Sequence, residues 1–175
     1  MTETDRRQYR CHSCGQLHAG PPLSYAVEAP DRWYSLSEED RQIHAVLSSD
    51  QCIINNAYFY IVGNIDIPLI DAEGVFSWSV WLSLSKADFQ QTSKLWKKRR
   101  REAAPPYPGR LSTQLFVYPD TLNLKTRVHT RPVGQRPYVE IESIDHPLAV
   151  EQRQGITLER VQFFAERILH DQQSG

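Results

Sequence analysis

Two alternating runs on either side of Gly134 constrain the fold of this chain more than any other feature. In residues 122–129 apolar side chains alternate with polar or cationic ones, and in residues 138–142 they alternate with a tyrosine and two glutamates. A period of two is typical of a β-strand with one buried face. Glycine suits the first central position of a type II′ turn, so the pattern predicts an antiparallel hairpin with Val133 opposite Arg136.

This turn would fix which side chains face each other across the hairpin. It places His129 opposite Glu140 and Arg127 opposite Glu142, so that each polar pair is complementary in charge, while apolar residues meet on the other side. We call the polar side the hairpin face. Its members are Lys125, Arg127, His129, Glu140 and Glu142.

The hairpin face has two interpretations. The commoner one is a solvated sheet surface with cross-strand ion pairs, each contributing about 0–1 kcal/mol. The other is the floor of a pocket covered by residues 145–155, in which His129, Glu140 and His146 are candidate catalytic acids and bases. The candidate ligand-binding residues are Lys125, Arg127, His129, Asp145, His146 and Trp81.

Some of these candidates have a structural explanation as well. Asp145 and His146 precede Pro147 and suit the N-terminal cap of a short helix that ends at Gly155. Trp81 lies on the polar side of an alternating run and can be a packing residue instead of the lining of a cleft.

The segment that begins at Cys11 predicts half of a zinc site. It reads C-H-S-C-G-Q-L-H, with two cysteines separated by two residues, a glycine for a tight turn, and a histidine four residues after the second cysteine. The predicted ligands are Cys11, Cys14, His18 and Cys52, with His12, His44 and Asp50 chemically possible. A pair of reduced or redox-active cysteines is the alternative, as is a buried position for Cys52 on a strand.

Composition limits the compartment and the partners. Three cysteines in 175 residues argue against a disulfide framework, and the polar first ten residues lack the apolar region of a signal peptide. We therefore expect a cytoplasmic protein without a membrane segment. A formal net charge of −1 predicts no general attraction to nucleic acid.

The order of predicted elements indicates an α+β fold, with an antiparallel sheet, helices packed mainly on one face, and an N-terminal segment resembling a zinc knuckle. Residues 1–30 form a tail, the CxxC knuckle and a proline-rich linker, residues 31–170 a single domain, and residues 171–175 a disordered tail. Within the domain we expect a helix ending near Ser48, a loop after the prolines at 105–108, and a short strand over residues 114–118.

Five consecutive cations, from Lys97 to Arg101, follow the helix predicted after Ser85. Such a run can bind nucleic acid, but cations also interact favourably with the C-terminal end of a helix dipole. A solvated helix terminus is the better explanation, and nucleic-acid binding is kept as an alternative.

Several segments together resemble a known bacterial family. They are CxxCGxxH near the start, SDQC at 49–52, WSVWLSLS at 78–85, and DTLNLKTRVHT followed by DHPLAVEQRQGIT. The chain resembles domain of unknown function 2199, over nearly its whole length. The resemblance implies a small cytoplasmic bacterial protein with Cys11, Cys14, His18 and Cys52 at matching positions, and it brings no activity.

The sequence favours a zinc-stabilised binding module that acts through the hairpin over residues 120–155. Its partner would be a protein or a small polar ligand, and an immunity or regulatory protein is one concrete form. The alternative is a small hydrolytic or metal-assisted enzyme that uses His129, Glu140 and His146. The second alternative is a nucleic-acid-binding protein that uses Lys97–Arg101.

Overall fold

A computed structural model describes residues 8–143 and 145–171 of the chain. Of the predicted tails, residues 1–7 and 172–175 lie outside these ranges. The strands are β1 (Tyr9–Arg10), β2 (Leu17–His18), β3 (Ser24–Ala26), β4 (Ala45–Leu47), β5 (Gln51–Ile54), β6 (Tyr58–Pro68), β7 (Val75–Leu84), β8 (Tyr107–Leu111), β9 (Lys125–His129) and β10 (Tyr138–Ile141). The helices are α1 (Asp31–Tyr34), α2 (Glu38–His44), α3 (Lys86–Leu95), α4 (Pro147–Gln154) and α5 (Leu158–Asp171), with a 3-10 turn at Arg101–Ala103.

The strands form a small antiparallel pair, β1 and β2, and one eight-stranded mixed sheet. The larger sheet runs in the order β3-β7-β8-β9-β10-β6-β5-β4, and β6 also pairs with β7, so the five strands from β6 to β10 close into a ring. The pairs β3–β7 and β10–β6 are parallel, and the others are antiparallel. The predicted α+β class is confirmed, with a mixed sheet in place of a purely antiparallel one.

The hairpin of β6 and β7 supplies most of the framework. Its ladder runs from Phe59 opposite Leu84 to Pro68 opposite Val75. Because side chains alternate along a strand, one side of this hairpin contributes to a large core and the other to a smaller one. On the large-core side lie Phe59, Ile61, Ile65, Ile67, Phe76, Trp78, Val80 and Leu82.

The helices cover the two cores unequally. Phe89 of α3, Leu148 of α4 and Phe164 of α5 pack into the large core. The smaller core is covered by α1, through Trp33, and by Leu36. Its buried members are Cys52, Ile54, Tyr60, Val62 and Trp81. No helix among the described residues is long and apolar enough to cross a membrane.

Gly63 allows β10 to approach β6 closely. A Cβ atom at this position would lie 2.5 Å from Cγ2 of Val139 and 3.2 Å from the carbonyl oxygen of Pro137. The first distance is too short for a side chain unless Val139 moves, and the second is tight, so glycine suits the place where these two strands meet.

Two helix caps agree with the residue types at the starts of α3 and α5. The hydroxyl of Ser85 accepts the backbone N–H of Asp88 at 3.0 Å and begins α3. The hydroxyl of Thr157 accepts the N–H of Arg160 at 3.2 Å and begins α5. Both short-range contacts follow from residue types and spacing alone.

Three element predictions are wrong. The helix expected to end near Ser48 ends at His44, and the next three residues form β4 along the edge of the sheet. Residues 114–118 are turn and coil, and the strand lies earlier, in β8, where a loop was expected. Pro108 and Gly109 in β8, and the two prolines before it, are residues that disfavour a strand, so the sequence did not predict one there. The glycine is needed there because a Cβ would lie 2.9 Å from Oγ1 of Thr126 on β9.

Arg101 is structural, contrary to its place in the proposed nucleic-acid patch. Its side chain is buried, and its guanidinium donates to the carbonyl oxygens of Trp96 at 2.8 Å, Arg131 at 2.7 Å, Pro132 at 3.1 Å and Gln135 at 2.8 Å. This one side chain holds the end of α3 against the loop that joins β9 to β10. The other four cations of the run are exposed.

Replacing Arg101 with alanine should lower the free energy of unfolding by about 2–4 kcal/mol, because several carbonyls lose a charged donor and stay desolvated. Urea unfolding followed by circular dichroism measures the loss. The control is Arg99→Ala, an exposed member of the same run, which should change stability by no more than about 0.5 kcal/mol. Equal effects of the two substitutions would contradict the structural role.

Candidate metal centre and hairpin face

The knuckle that carries Cys11 and Cys14 is a tight turn between β1 and β2. The N–H of Gly15 donates to the carbonyl of Cys11 at 2.9 Å, and the N–H of Cys11 donates to the carbonyl of Gln16 at 2.9 Å. Gly15 has a φ of +71°, a left-handed conformation that glycine adopts without strain. The turn reverses the direction of the chain and places His18 beside the cysteines.

Three potential ligand atoms gather at this turn. One donor atom each from Cys11, Cys14 and His18 lies within 4.8 Å of the others, and Sγ of Cys14 is 3.3 Å from Nε2 of His18. Two thiolates and an imidazole are the donor set that zinc prefers in proteins. The predicted cluster of Cys11, Cys14 and His18 is therefore present, with the chemistry and the proximity that a metal ion needs.

Cys11 is the buried member of the cluster, whereas Cys14 is exposed. Burial opposes ionisation of Cys11, but hydrogen bonds from the backbone N–H of Cys14 and from the side chain of His170 outweigh it and lower the pKa of the Cys11 thiol to about 6. Because metals bind the thiolate and not the thiol, this environment favours the form of the sulfur that coordinates.

Cys52 does not join this cluster, and its predicted role as a ligand is wrong for this structure. Its side chain is fully buried in the smaller core beside Ile54, Tyr60 and Trp81. Burial raises the pKa of the Cys52 thiol to about 11, which disfavours the thiolate. Cys52 is instead a small hydrophobic residue on β5, the alternative that its place in a strand already allowed.

Three residues of α5 that sequence reasoning missed hold the knuckle against the helix. Glu166 accepts the backbone N–H of His12 at 2.9 Å and the amide of Gln162 at 2.9 Å, and it lies 3.1 Å from Nδ1 of His12. Nε2 of His170 lies 3.2 Å from Sγ of Cys11. Burial opposes ionisation of Glu166, but these hydrogen bonds outweigh it and lower the pKa of its carboxyl group.

The spacing of these residues was the available signal. Gln162, Glu166 and His170 recur every four positions and therefore lie on one side of α5. A polar stripe on a helix whose other side enters the core indicates a polar contact with another segment. The sequence did not identify that segment.

The hairpin forms, but in a register two residues away from the predicted one. Tyr138 faces His129, and Glu140 faces Arg127. The N–H of Gln135 donates to the carbonyl of Pro132 at 3.1 Å, so Gly134, with a φ of +90°, is the second central residue of the turn and not the first. This is the position for glycine in a type II turn.

A shift of two residues keeps every side chain on its predicted side, so the charges still meet. Nε2 of His129 lies 2.8 Å from Glu140, and Arg127 lies 3.0 Å from Glu142, both along diagonals of the ladder. The four side chains are between 36% and 54% exposed. The hairpin face is therefore an open, ion-paired surface, and Lys125 at its end is also exposed.

The predicted cover over this face is wrong. Helix α4 packs on the opposite side of the hairpin, where Leu148 and Ala149 join Val128 and Val139 in the large core. Gln152 of α4 bonds the backbone of β10, accepting from Ile141 at 2.9 Å and donating to Val139 at 2.7 Å.

His146 is occupied by structural contacts. Its Nδ1 accepts the N–H of Leu148 at 3.2 Å and caps α4, and its Nε2 lies 3.1 Å from the carbonyl oxygen of Asp120. A carbonyl can only accept, so the ring is bonded at both nitrogens as a neutral tautomer with the proton on Nε2. The capping explanation is confirmed for His146, while Asp145 is exposed in the preceding turn.

Trp81 is a packing residue and does not line a cleft. Its side chain is 1% exposed in the smaller core, and its indole N–H donates to the carbonyl of Val27 at 2.8 Å. Of the candidate catalytic residues, His129 and Glu140 are paired with each other. The ring of His146 contacts the N–H of Leu148 at the start of α4 and the carbonyl of Asp120 instead.

Comparison with known proteins identifies one family. A family model described as an uncharacterised protein conserved in bacteria, DUF2199, matches residues 10–156. The match includes the knuckle, the sheet and α4, and it ends before α5. No curated protein and no solved structure matches the chain.

The double substitution of His129 and Glu140 by alanine should change the free energy of unfolding by less than about 1 kcal/mol, because the pair is solvated. Val128→Ala, in the same strand but fully buried, is the control and should cost about 2 kcal/mol. Urea denaturation of the three proteins measures both. A larger loss from the double variant than from the control would contradict an open face.

Proposed function

The chain belongs to the DUF2199 family of uncharacterised bacterial proteins, and we propose that it is a zinc-stabilised binding module that contacts a protein partner through the hairpin face. The observation that supports the metal is the convergence of Cys11, Cys14 and His18 on one point. The same tight turn that brings them together would have little hydrophobic packing of its own, since its residues other than Cys11 are mostly exposed. A metal ion stabilises such a segment directly.

Zinc is the metal that this donor set favours. Two thiolates and a histidine are soft and borderline ligands, which disfavours magnesium and calcium because these bind oxygen. The thiols have to remain reduced for this role, which fits a reducing compartment such as the cytoplasm.

The form of the hairpin face favours a protein partner over a small molecule. Ligand pockets are concave and bury most of their ligand, whereas the hairpin face is an open strand surface with half-exposed charges. Alternating positive and negative side chains on such a surface give orientation and specificity to a contact with a complementary protein. An immunity or regulatory protein is one form that this proposal takes.

The enzyme alternative has less support. It required His129, Glu140 and His146 around one substrate, and the contacts of His146 place that ring at the start of α4. The nucleic-acid alternative is weakened because Arg101, one of its five cations, is buried and its guanidinium donates to carbonyl oxygens.

Purified full-length protein should contain about one zinc ion per chain, and Cys11→Ala or Cys14→Ala should remove it because each deletes a ligand. Cys52→Ala is the matched control and should keep the metal, since Cys52 lies in the smaller core. Mass spectrometric metal analysis measures all four proteins. Zinc-free wild-type protein that also takes up no added zinc would overturn the metal proposal.

The partner proposal is tested with two matched charge reversals. Arg127→Glu changes the hairpin face, and Glu159→Lys changes an exposed position on α5, which packs on the other side of the sheet. With tagged full-length protein as bait in a lysate of the source bacterium, wild type and Glu159→Lys should retain the same partner, and Arg127→Glu should lose at least roughly tenfold of it. Recovery of no protein, or equal recovery by all three baits, would reject the hairpin face.

A further inference from the structure

We infer that His170, in the last turn of α5, is the fourth ligand of the metal centre and completes a site of two cysteines and two histidines. This inference rests on the proposed zinc site, and it extends that site from a local turn to a junction between the two ends of the described chain. It also makes the metal structural, because four side-chain ligands leave no position open for substrate.

Two sulfur–nitrogen distances are compatible with neighbouring ligands of one tetrahedral ion. Nε2 of His170 lies 3.2 Å from Sγ of Cys11, and Nε2 of His18 lies 3.3 Å from Sγ of Cys14. Zinc bonds of about 2.3 Å to sulfur and 2.1 Å to nitrogen separate neighbouring ligand atoms by roughly 3.6 Å in a tetrahedron. The two sulfur–nitrogen pairs approximate two edges of that figure. His170 does not belong to the group of donor atoms that all lie within 4.8 Å of one another, so its ring has to move towards Cys14 and His18 when the ion binds.

Helix α5 positions His170 through two other residues on the same side. The carboxylate of Glu166, one turn before His170, binds the backbone N–H of His12 at 2.9 Å. The amide of Gln162, one turn further back, donates to the carbonyl of Arg10 at 3.3 Å. The backbone on both sides of Cys11 is therefore fixed to α5, which directs the ring of His170 at the sulfur.

Three of the other candidates for the fourth position have different contacts. Asp50 binds the guanidinium of Arg136 at 2.8 Å, and Cys52 is buried in the smaller core. His12 lies in the knuckle itself, but its side chain is 76% exposed and its Nδ1 is 3.1 Å from Glu166. His170 contacts a cysteine of the cluster directly.

The test compares the same substitution at two histidines of the full-length protein. His170→Gln should weaken zinc binding at least roughly 100-fold in competition with a chromophoric chelator, since even the loss of a residue that only supports a ligand costs 10–100-fold. His44→Gln, at an exposed position at the end of α2, is the matched control and should bind zinc as wild type does. Wild-type affinity in His170→Gln, or an equal loss in His44→Gln, would overturn the inference.

A second measurement does not depend on how the variants fold. X-ray absorption at the zinc edge of wild-type protein should show two sulfur and two imidazole ligands, and cobalt-substituted protein should show the visible spectrum of a tetrahedral site. One imidazole with a water ligand would refute the role of His170 and leave the zinc proposal intact. Failure of the metal proposal itself is distinct, because Cys11→Ala and Cys14→Ala would then bind metal no worse than Cys52→Ala.

Discussion

The strict alternation of side chains along β6 and β7 is the constraint on which the rest of the structure depends. Ile61 faces Leu82 in the large core, and the next pair, Val62 and Trp81, faces the smaller one. A slip of one residue between these strands would turn the side chains of one strand towards the wrong core. The other strands and the helices pack against the two cores that β6 and β7 define. The outer side of the hairpin of β9 and β10 is left exposed to solvent.

The features that the sequence predicted well are those decided within a few residues. Capping by Ser85 and Thr157, and the two faces of the β9–β10 hairpin, follow from spacing and polarity. The register of the hairpin did not follow from the sequence, because glycine with positive φ fits either central position of a two-residue turn. Only the hydrogen bond from Gln135 to Pro132 distinguishes the two positions. Moving a turn by one residue moves the ladder by two, which preserves the faces and lets the same charges pair diagonally.

The cluster of cysteine and histidine side chains likewise combines contacts that are local in the sequence with one that is not. Cys11, Cys14 and His18 lie within one turn, and their convergence was predictable from that turn. Cys52 has the chemistry of a metal ligand, but the fold places it in the smaller core. His170 is 159 residues from Cys11, and no local rule connects them. The polar stripe on α5 is visible in the sequence, but the segment that it contacts is visible only in the folded chain.

The contact between Cys11 and α5 joins the two ends of the described chain. An ion bound by positions 11 and 170 would enclose almost the entire polypeptide in one loop of covalent and coordinate bonds. By the chain-entropy argument for cross-links, closing a loop of this length removes about 5 kcal/mol of conformational freedom from the unfolded chain at 25 °C. The site would therefore stabilise the whole domain reversibly, and the free energy of unfolding would increase with the concentration of available metal.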